Sequence, residues 1–415
     1  MAEKLEVYYG LPAEVKFCKI CNITNQRPNS SNEYEHKKGS PKKTIQFDSE
    51  GICFACNHKK TQKTAVNWKD RETELLELCD RFRRDDGGYD CLVPGSGGKD
   101  SVYASWLLKY KYKMNPLTVT WSPHLYTEVG WTNFQNWIHK GGFDNYLFTP
   151  NGKVHRILTQ IATRQLFHPF QPFIMGQKTF APKMAAQFQI PLVFYGEMPG
   201  EYGAPISHET KTFSEEECDG FKLHFDDVNP EQLYFGGVRG DEIIKEFGLS
   251  KNDLAAYTPL NQEKLQKSGI EFHYLGYYIP WDPQECYYFS VEKIDFEANP
   301  VRTEGTYSKY NSLDDRIDGL FYYSSYIKFG CGRAMQDSSQ EIRNEKITSE
   351  EGKLLIEKFD GEFPKRYIDE ILDYLDMSLE EFHAIADSFR SPHLWKKTSE
   401  GWKLRHTASK TGVDD

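Results

Sequence analysis

Nowhere in the 415 residues do apolar side chains run uninterrupted for the 18 or so positions that a spanning helix needs. The opening segment, MAEKLEVYYGLPAEV, has no basic stretch followed by an apolar core, so the sequence predicts neither a membrane insertion nor a signal peptide, and a cytoplasmic location is expected. Positive charge is also short. Lys and Arg number 51 against 61 Asp and Glu, a net charge of −10, which disfavours a chain built to coat nucleic acid or an anionic membrane and makes any phosphate site a local one. There is no internal repeat and no long low-complexity segment. With 39% apolar and 14% aromatic residues over this length, the chain is expected to be globular and multidomain.

Cysteine is sparse but unevenly placed. Four of nine form two CxxC pairs, Cys18/Cys21 and Cys53/Cys56, separated by 31 residues; Cys79, Cys91, Cys218, Cys286 and Cys331 are scattered. In a reducing compartment this spacing points to metal, not disulfides. Four thiolates suit one tetrahedral structural Zn²⁺, whose binding would fold a segment rich in Asn, Ser and Lys that cannot build a core alone. An iron–sulfur cluster and unmetallated or redox thiols are the alternatives.

From Trp68 the pattern becomes helical. A strand-like run ending in Cys-Leu-Val-Pro94 then enters a glycine loop, a helical stretch (SVYASWLLKYKY) and a second strand at 117–121, an order that predicts a parallel βαβ unit. Ile190–Gly196 reads as another parallel strand. The domains expected are a four-cysteine zinc-binding module at 1–65, an α/β domain at 66–260, and a mostly helical region at 261–415 serving substrate or partner. Capping-box patterns at Ser312–Asp315, Thr348–Glu351 and Ser378–Glu381 mark helix starts in the last of these.

Pro94-Gly-Ser-Gly-Gly-Lys-Asp-Ser101 carries the chemistry. Glycines between a strand and a helix let backbone N–H groups close around an anion at the helix's positive end. The loop fails the Walker A pattern, because Val93 stands where its first Gly is required and Asp100 follows the Lys. A plain glycine turn before a helix is the bland alternative. SGGKDS instead resembles the pyrophosphate loop of the PP-loop ATP pyrophosphatases. The resemblance implies a parallel sheet with helices on both faces, and cleavage of ATP to AMP and pyrophosphate. Ser96, Gly97, Gly98 and Ser101 would then hold the departing phosphates, Lys99 would neutralise charge, and Asp100 would hold Mg²⁺.

Segments across the chain, among them CKICNITNQRP, YDCLVPGSGGKDS, HPFQPFIMGQK, VFYGEMPGEYG, EGTYSKYNSLDDRIDG and YYSSYIKFGCGRAMQDSSQEIR, are similar to the bacterial N-acetyl sugar amidotransferases, the WbpG/PseA-like enzymes of surface polysaccharide and nonulosonic acid synthesis. That resemblance implies conversion of a sugar acetamido group, on a nucleotide-linked or related sugar, to an acetamidino group. It also implies ammonia delivered by a partner glutaminase (HisH-like), with a cyclase-like (HisF-like) subunit as a further partner. A PP-loop tRNA thiolation enzyme is the competing expectation. Further candidates are weaker: Trp121 as an adenine contact or a core residue; Gly176 and Lys178, and Glu197, expected after strands and facing phosphate or metal; Glu201 and Tyr202 toward the sugar; and Lys328, Arg333 and Arg343 toward phosphate. Each charged residue among these has solvated or intrahelical pairing as its plainer reading.

Overall fold

The computed structural model describes residues 5–29, 36–197, 199–203, 229–261 and 267–409. At its centre is a five-stranded, all-parallel sheet made of β1 (Cys91–Pro94), β2 (Pro116–Trp121), β3 (Asn145–Phe148), β4 (Leu192–Tyr195) and β5 (Glu271–Tyr274), in the order β3-β2-β1-β4-β5. The chain winds outward from β1 to one edge and restarts on its other side at β4, so the crevice at the C-terminal ends of β1 and β4 is the switch point where open α/β sheets bind ligands.

Alternation along the strands explains why both faces are covered. Cys91 and Val93 of β1, with Leu192 and Phe194 of β4, pack against α2 (Trp68–Phe82), α3 (Lys99–Trp106) and the segment 274–286. Leu92 and Val193 point the other way, into a core with α5 (Gly152–Leu166) and α6 (Gln171–Phe188). Between these helices in sequence, α1 (Phe54–Ala65) follows the second cysteine pair and α4 (Glu128–His139) crosses the phosphate loop.

β5 lies past the boundary expected at 260, and α7 (Pro283–Ile294) behind it still packs on the sheet side: Ser290 Oγ donates to the Lys99 carbonyl at 3.2 Å. Beyond it run α8 (Asp318–Phe329), α9 (Arg333–Arg343), α10 (Ser349–Phe359), α11 (Ile368–Leu375) and α12 (Leu379–Ser388), then a hairpin at 395–404. Two of the three capping patterns start helices as expected. Thr348 forms a reciprocal capping box with Glu351, and Ser378 caps α12. The pattern at Ser312–Asp315 does not start a helix. Its backbone is paired with 124–127, with Thr127 N on the Asp314 carbonyl at 3.2 Å and Arg316 N on that of Leu125 at 2.9 Å, and α8 begins only at Asp318.

The N-terminal module has no core of its own. Cys18, Cys21, Cys53 and Cys56 are buried with Ile23 and Ile45 in one cluster that also holds Ile327, Met335, Ile371 and Phe389 from the C-terminal helices. Among the described residues no helix is long and apolar enough to cross a membrane.

Candidate active site

The loop between β1 and α3 is shaped by two close approaches. Gly97 has φ +84°, and a Cβ there would stand 2.7 Å from Phe134 Cα on α4; a Cβ on Gly95 would stand 2.2 Å from Ser101 Cβ. Only glycine meets both the left-handed backbone and the contact at position 97. Gly97→Ala is therefore expected to cost about 2 kcal/mol or more in stability, measured by denaturant unfolding, and to displace the loop. Gly98 precedes α3 in extended conformation, so the first-turn amides of that helix, which have no carbonyl inside it, face the crevice.

Lys99 is buried and its Nζ lies 2.6 Å from Asp100 Oδ2. Asp100 Oδ1 is buried with no hydrogen-bond partner, an oxygen free to take a cation. Ser101 Oγ donates to the Gly98 carbonyl at 2.9 Å, closing the loop on itself. Glu197 stands across the crevice at the end of β4. Its carboxyl is reachable by water but hemmed in by protein, and that desolvation, with the charge of Asp100 beside it, pushes it up to about 7. An acid raised in this way holds its extra proton only in the folded state. In the metal-free protein its contribution to stability is present at low pH and is lost as pH rises from the ordinary 4.5 through about 7. A cation between Asp100 and Glu197 would reverse that penalty. Mg²⁺ affinity, followed by titration calorimetry, is expected to rise as pH passes 7, and Glu197→Gln to flatten the dependence.

The C-terminal region completes this crevice. Burial raises the Asp314 carboxyl, and the Ser96 side chain lies near enough to oppose that shift. Asp318 lies beside Asp314 and Asp315; burial, reinforced by those two charges, raises it well above the usual carboxylate range, and its Oδ2 is buried without a partner. Arg333, at the start of α9, donates Nε to Asp337 Oδ1 at 2.8 Å and bonds the Tyr322 hydroxyl, and its charge is felt by both Asp318 and Lys99. Tyr322 carries no signal in the sequence of a place here, and a sequence gives no sign that 313–316 pairs with the loop after β2. His124 N and Nδ1, at 2.6 and 2.8 Å from Asp315 Oδ2, hold that pairing in place.

Other candidates lie elsewhere. Gly176-Gln177-Lys178 does not follow a strand: it is in the middle of the 18-residue α6, which runs on through Pro182. Gly176 is there because a Cβ would fall 2.1 Å from the Trp121 indole. Trp121 itself is 4% exposed among Phe148, Phe180 and Tyr257, with ring centroids at 5.0, 6.1 and 5.4 Å, which is the core reading of that residue and not a place in the crevice. Lys328 is buried, and its Nζ donates to the Leu166 carbonyl at 2.7 Å, closing the C-terminal end of α5. Arg343 is engaged by the cysteine centre and the Glu201 carbonyl, Glu201 is buried against Lys59 at 3.6 Å with Glu197 within electrostatic reach, and Tyr202 is near the crevice, within reach of both Glu197 and Asp100. Cys218 lies outside the described residues.

The four cysteine sulfurs fall within 4.8 Å of one another, with Cys18–Cys56 at 3.8 Å and Cys21–Cys53 at 3.6 Å. A tetrahedron of sulfurs around one ion at the usual Zn–S length has edges of about 3.8 Å, so the donor set fits a single four-coordinate metal. A cluster with an iron at every thiolate would hold the sulfurs further apart. Cys53 N donates to Cys18 Sγ at 3.3 Å, as a thiolate ligand requires of its surroundings.

A parallel sheet of order β3-β2-β1-β4-β5, with SGGKDS at its switch point, is a PP-loop fold carrying a four-cysteine centre and a mostly helical C-terminal region. Residues 304–408, the region that supplies Asp314, Asp318 and Arg333, match the family described as LPS biosynthesis protein WbpG-like, C-terminal domain. Over 78 residues the chain is 38% identical to the Methanocaldococcus jannaschii protein named Uncharacterized protein MJ1599; the match takes in 19% of this chain and 27% of that protein, about a quarter of its length. Solved structures with similarity include NMN synthetase from Francisella tularensis (15% identity, 56% of this chain and 92% of that one, TM-score 0.27). They also include the U34-tRNA thiolase NcsA from Methanococcus maripaludis with its [4Fe-4S] cluster (10% identity, 77% and 87%, TM-score 0.29). The fold assignment rests on this chain's own strand order and loop, not on these distant likenesses.

Proposed function

We propose that the protein is an ATP-dependent amidotransferase that converts the acetamido group of a sugar, free or nucleotide-linked, to an acetamidino group, in the building of a surface polysaccharide or nonulosonic acid. The observation that carries this reading is the meeting of Ser96, in the phosphate loop, with Asp314 from the WbpG-like region. A group seated beside this pair has ATP on one side and the residues of the WbpG-like region on the other.

An amide oxygen is a poor leaving group. Its attack on the α-phosphorus of ATP, with pyrophosphate departing from the grip of Ser96–Ser101, gives an O-adenylyl imidate. Ammonia then adds at the carbon, AMP leaves carrying the former amide oxygen, and one proton is lost as the amidine forms. Lys99 and the α3 amides stabilise the departing pyrophosphate, and Arg333 offers charge to the phosphate of AMP as it leaves in the second step. Mg²⁺, held by Asp100 and Glu197, would draw charge from the triphosphate. Zn²⁺ is the ion proposed for the four-cysteine centre, with a structural role. Ammonia has to arrive unprotonated and shielded from water, which favours a docked glutaminase, with or without a cyclase-like subunit.

Thiolation is the poorer reading. Cys286, the cysteine whose thiol feels Lys99, Asp100 and Glu197, is 1% exposed, and burial pushes it well up, so it stays a protonated core thiol and not a sulfur carrier. The test is to incubate the protein with Mg–ATP, ammonium and a panel of N-acetyl sugars and their nucleotide conjugates. The expected result is sugar-dependent AMP and pyrophosphate with a product lighter by the difference between O and NH. AMP formation that depends on RNA and ignores sugar would overturn the proposal.

A further inference from the structure

Two arginines and a lysine tie the four-cysteine centre to the turn that follows β4. Arg343, the last residue of α9, donates Nη1 to Cys21 Sγ at 3.6 Å and Nη2 to the Glu201 carbonyl at 2.9 Å. Arg27, between the two cysteine pairs, donates to the Tyr202 carbonyl. Lys59, three residues past Cys56, reaches the Glu201 carboxylate at 3.6 Å. Gly200 lies so close over the ring of His58 that a Cβ would come within 2.6 Å of Cε1. Each of residues 200–202 is thus gripped by the cysteine module or by a residue bonded to one of its ligands. Tyr202, on the same turn, has its hydroxyl-bearing side chain near Glu197 and Asp100.

The chemistry of the centre explains the arginines. Four thiolates on a divalent ion leave a net charge of −2, and buried charge of that size calls for cations held by hydrogen bonds. A guanidinium presents its donors as a flat fork and can bond a thiolate and a carbonyl at once; an ammonium of the same charge has no such fixed geometry. When the metal is lost nothing fixes the position of Cys21 Sγ, so Arg343 loses the anchor at one end of its fork and the turn it holds at the other end loses its support.

We propose that Arg343 is a positioning residue that couples metal occupancy of the Cys18/Cys21/Cys53/Cys56 centre to the placement of residues 199–203, and through Tyr202 and Glu197 to nucleotide binding. This rests on the reading of the Asp100–Glu197 crevice as the nucleotide site. Because coupling between two sites is reciprocal, the wild-type protein tests it without any variant. Saturating Mg–α,β-methylene-ATP should tighten metal retention against a chromophoric chelator by about tenfold, and stripping the metal should weaken the analogue's binding by the same factor. In Arg343→Gln, which keeps all four thiolates, this factor should fall toward one, the amides of residues 200–203 should exchange about tenfold faster, and the thiolate-to-metal absorption of the cobalt(II)-substituted protein should shift as Cys21 loses its donor. Arg27→Gln, which leaves Cys21 untouched, should loosen the same amides with the cobalt spectrum in place.

Failure of the wild-type protein to bind the analogue at all would overturn the nucleotide-site reading, and the coupling with it. Tight binding of the analogue that neither changes metal retention nor responds to metal removal would overturn the coupling alone.

Discussion

Asp100→Asn is expected to lower AMP formation by about 10³-fold or more while leaving the protein folded. Two losses combine. The free Oδ1 and the charge that would hold the cation go together, and the Lys99 ammonium, buried on the same loop at 2.6 Å from Oδ2, is left without its counter-charge. Breaking a fully buried pair costs about 3–5 kcal/mol, but the Asp100 side chain is 28% exposed, so about 1–2 kcal/mol is the expected fall in stability. Ser101→Ala, which removes only the loop's own bond to the Gly98 carbonyl, should cost far less in rate. Activity in Asp100→Asn within tenfold of wild type would place the chemistry elsewhere.

Removing the metal from the four-cysteine centre is expected to have the largest effect on stability. Cys18, Cys21, Cys53 and Cys56 are all at most 5% exposed, and the cluster around them is shared between the N-terminal module and α8, α9, α10, α11 and α12. Ser339 Oγ donates to the Cys21 carbonyl at 2.8 Å, and Asn22 Nδ2 donates to that of Ser349 at 2.8 Å, so the knuckle of the first cysteine pair is a seat for α9 and α10. Chelation, or Cys53→Ser, should therefore lower the first thermal transition by ~10 °C or more and expose C-terminal helices to protease, not only the N-terminal 65 residues. A melting curve unchanged by a chelator that demonstrably removes the ion would show that the thiols hold this core unaided.

The strand, glycine loop and helix at 91–106 were legible in the sequence because everything they need is local. The two CxxC pairs, whose sulfurs the fold brings within 4.8 Å of one another, were legible for a similar reason, since the spacing within each pair is itself local. What lies between local segments was not. β3 is a four-residue edge strand whose Tyr146 and Leu147 are exposed, so it lacks the alternation that marks a half-buried strand, and β5 is as short. Gly176 looked like a break in a ligand loop because a glycine in a helix is costly on local grounds; its reason is the Trp121 ring pressed against it from β2. Arg343 looked like a phosphate ligand, and the place of Asp314 beside Ser96 was hidden, because in each case the partner is more than a hundred residues away in the chain. Domain boundaries suffered most. Buried apolar residues of the four-cysteine module and of the C-terminal helices form one core, which no reading of separate segments predicts.

The central claim is that an amide oxygen attacks ATP at the loop formed by residues 96–101. It is tested most directly by preparing the accepted N-acetyl sugar with ¹⁸O in its acetamido carbonyl and following the label through one turnover with ATP and ammonium. The mechanism predicts that the label appears in the phosphate of AMP and that pyrophosphate stays unlabelled. Label recovered in orthophosphate with ADP as the nucleotide product, or retained in the sugar, would contradict it.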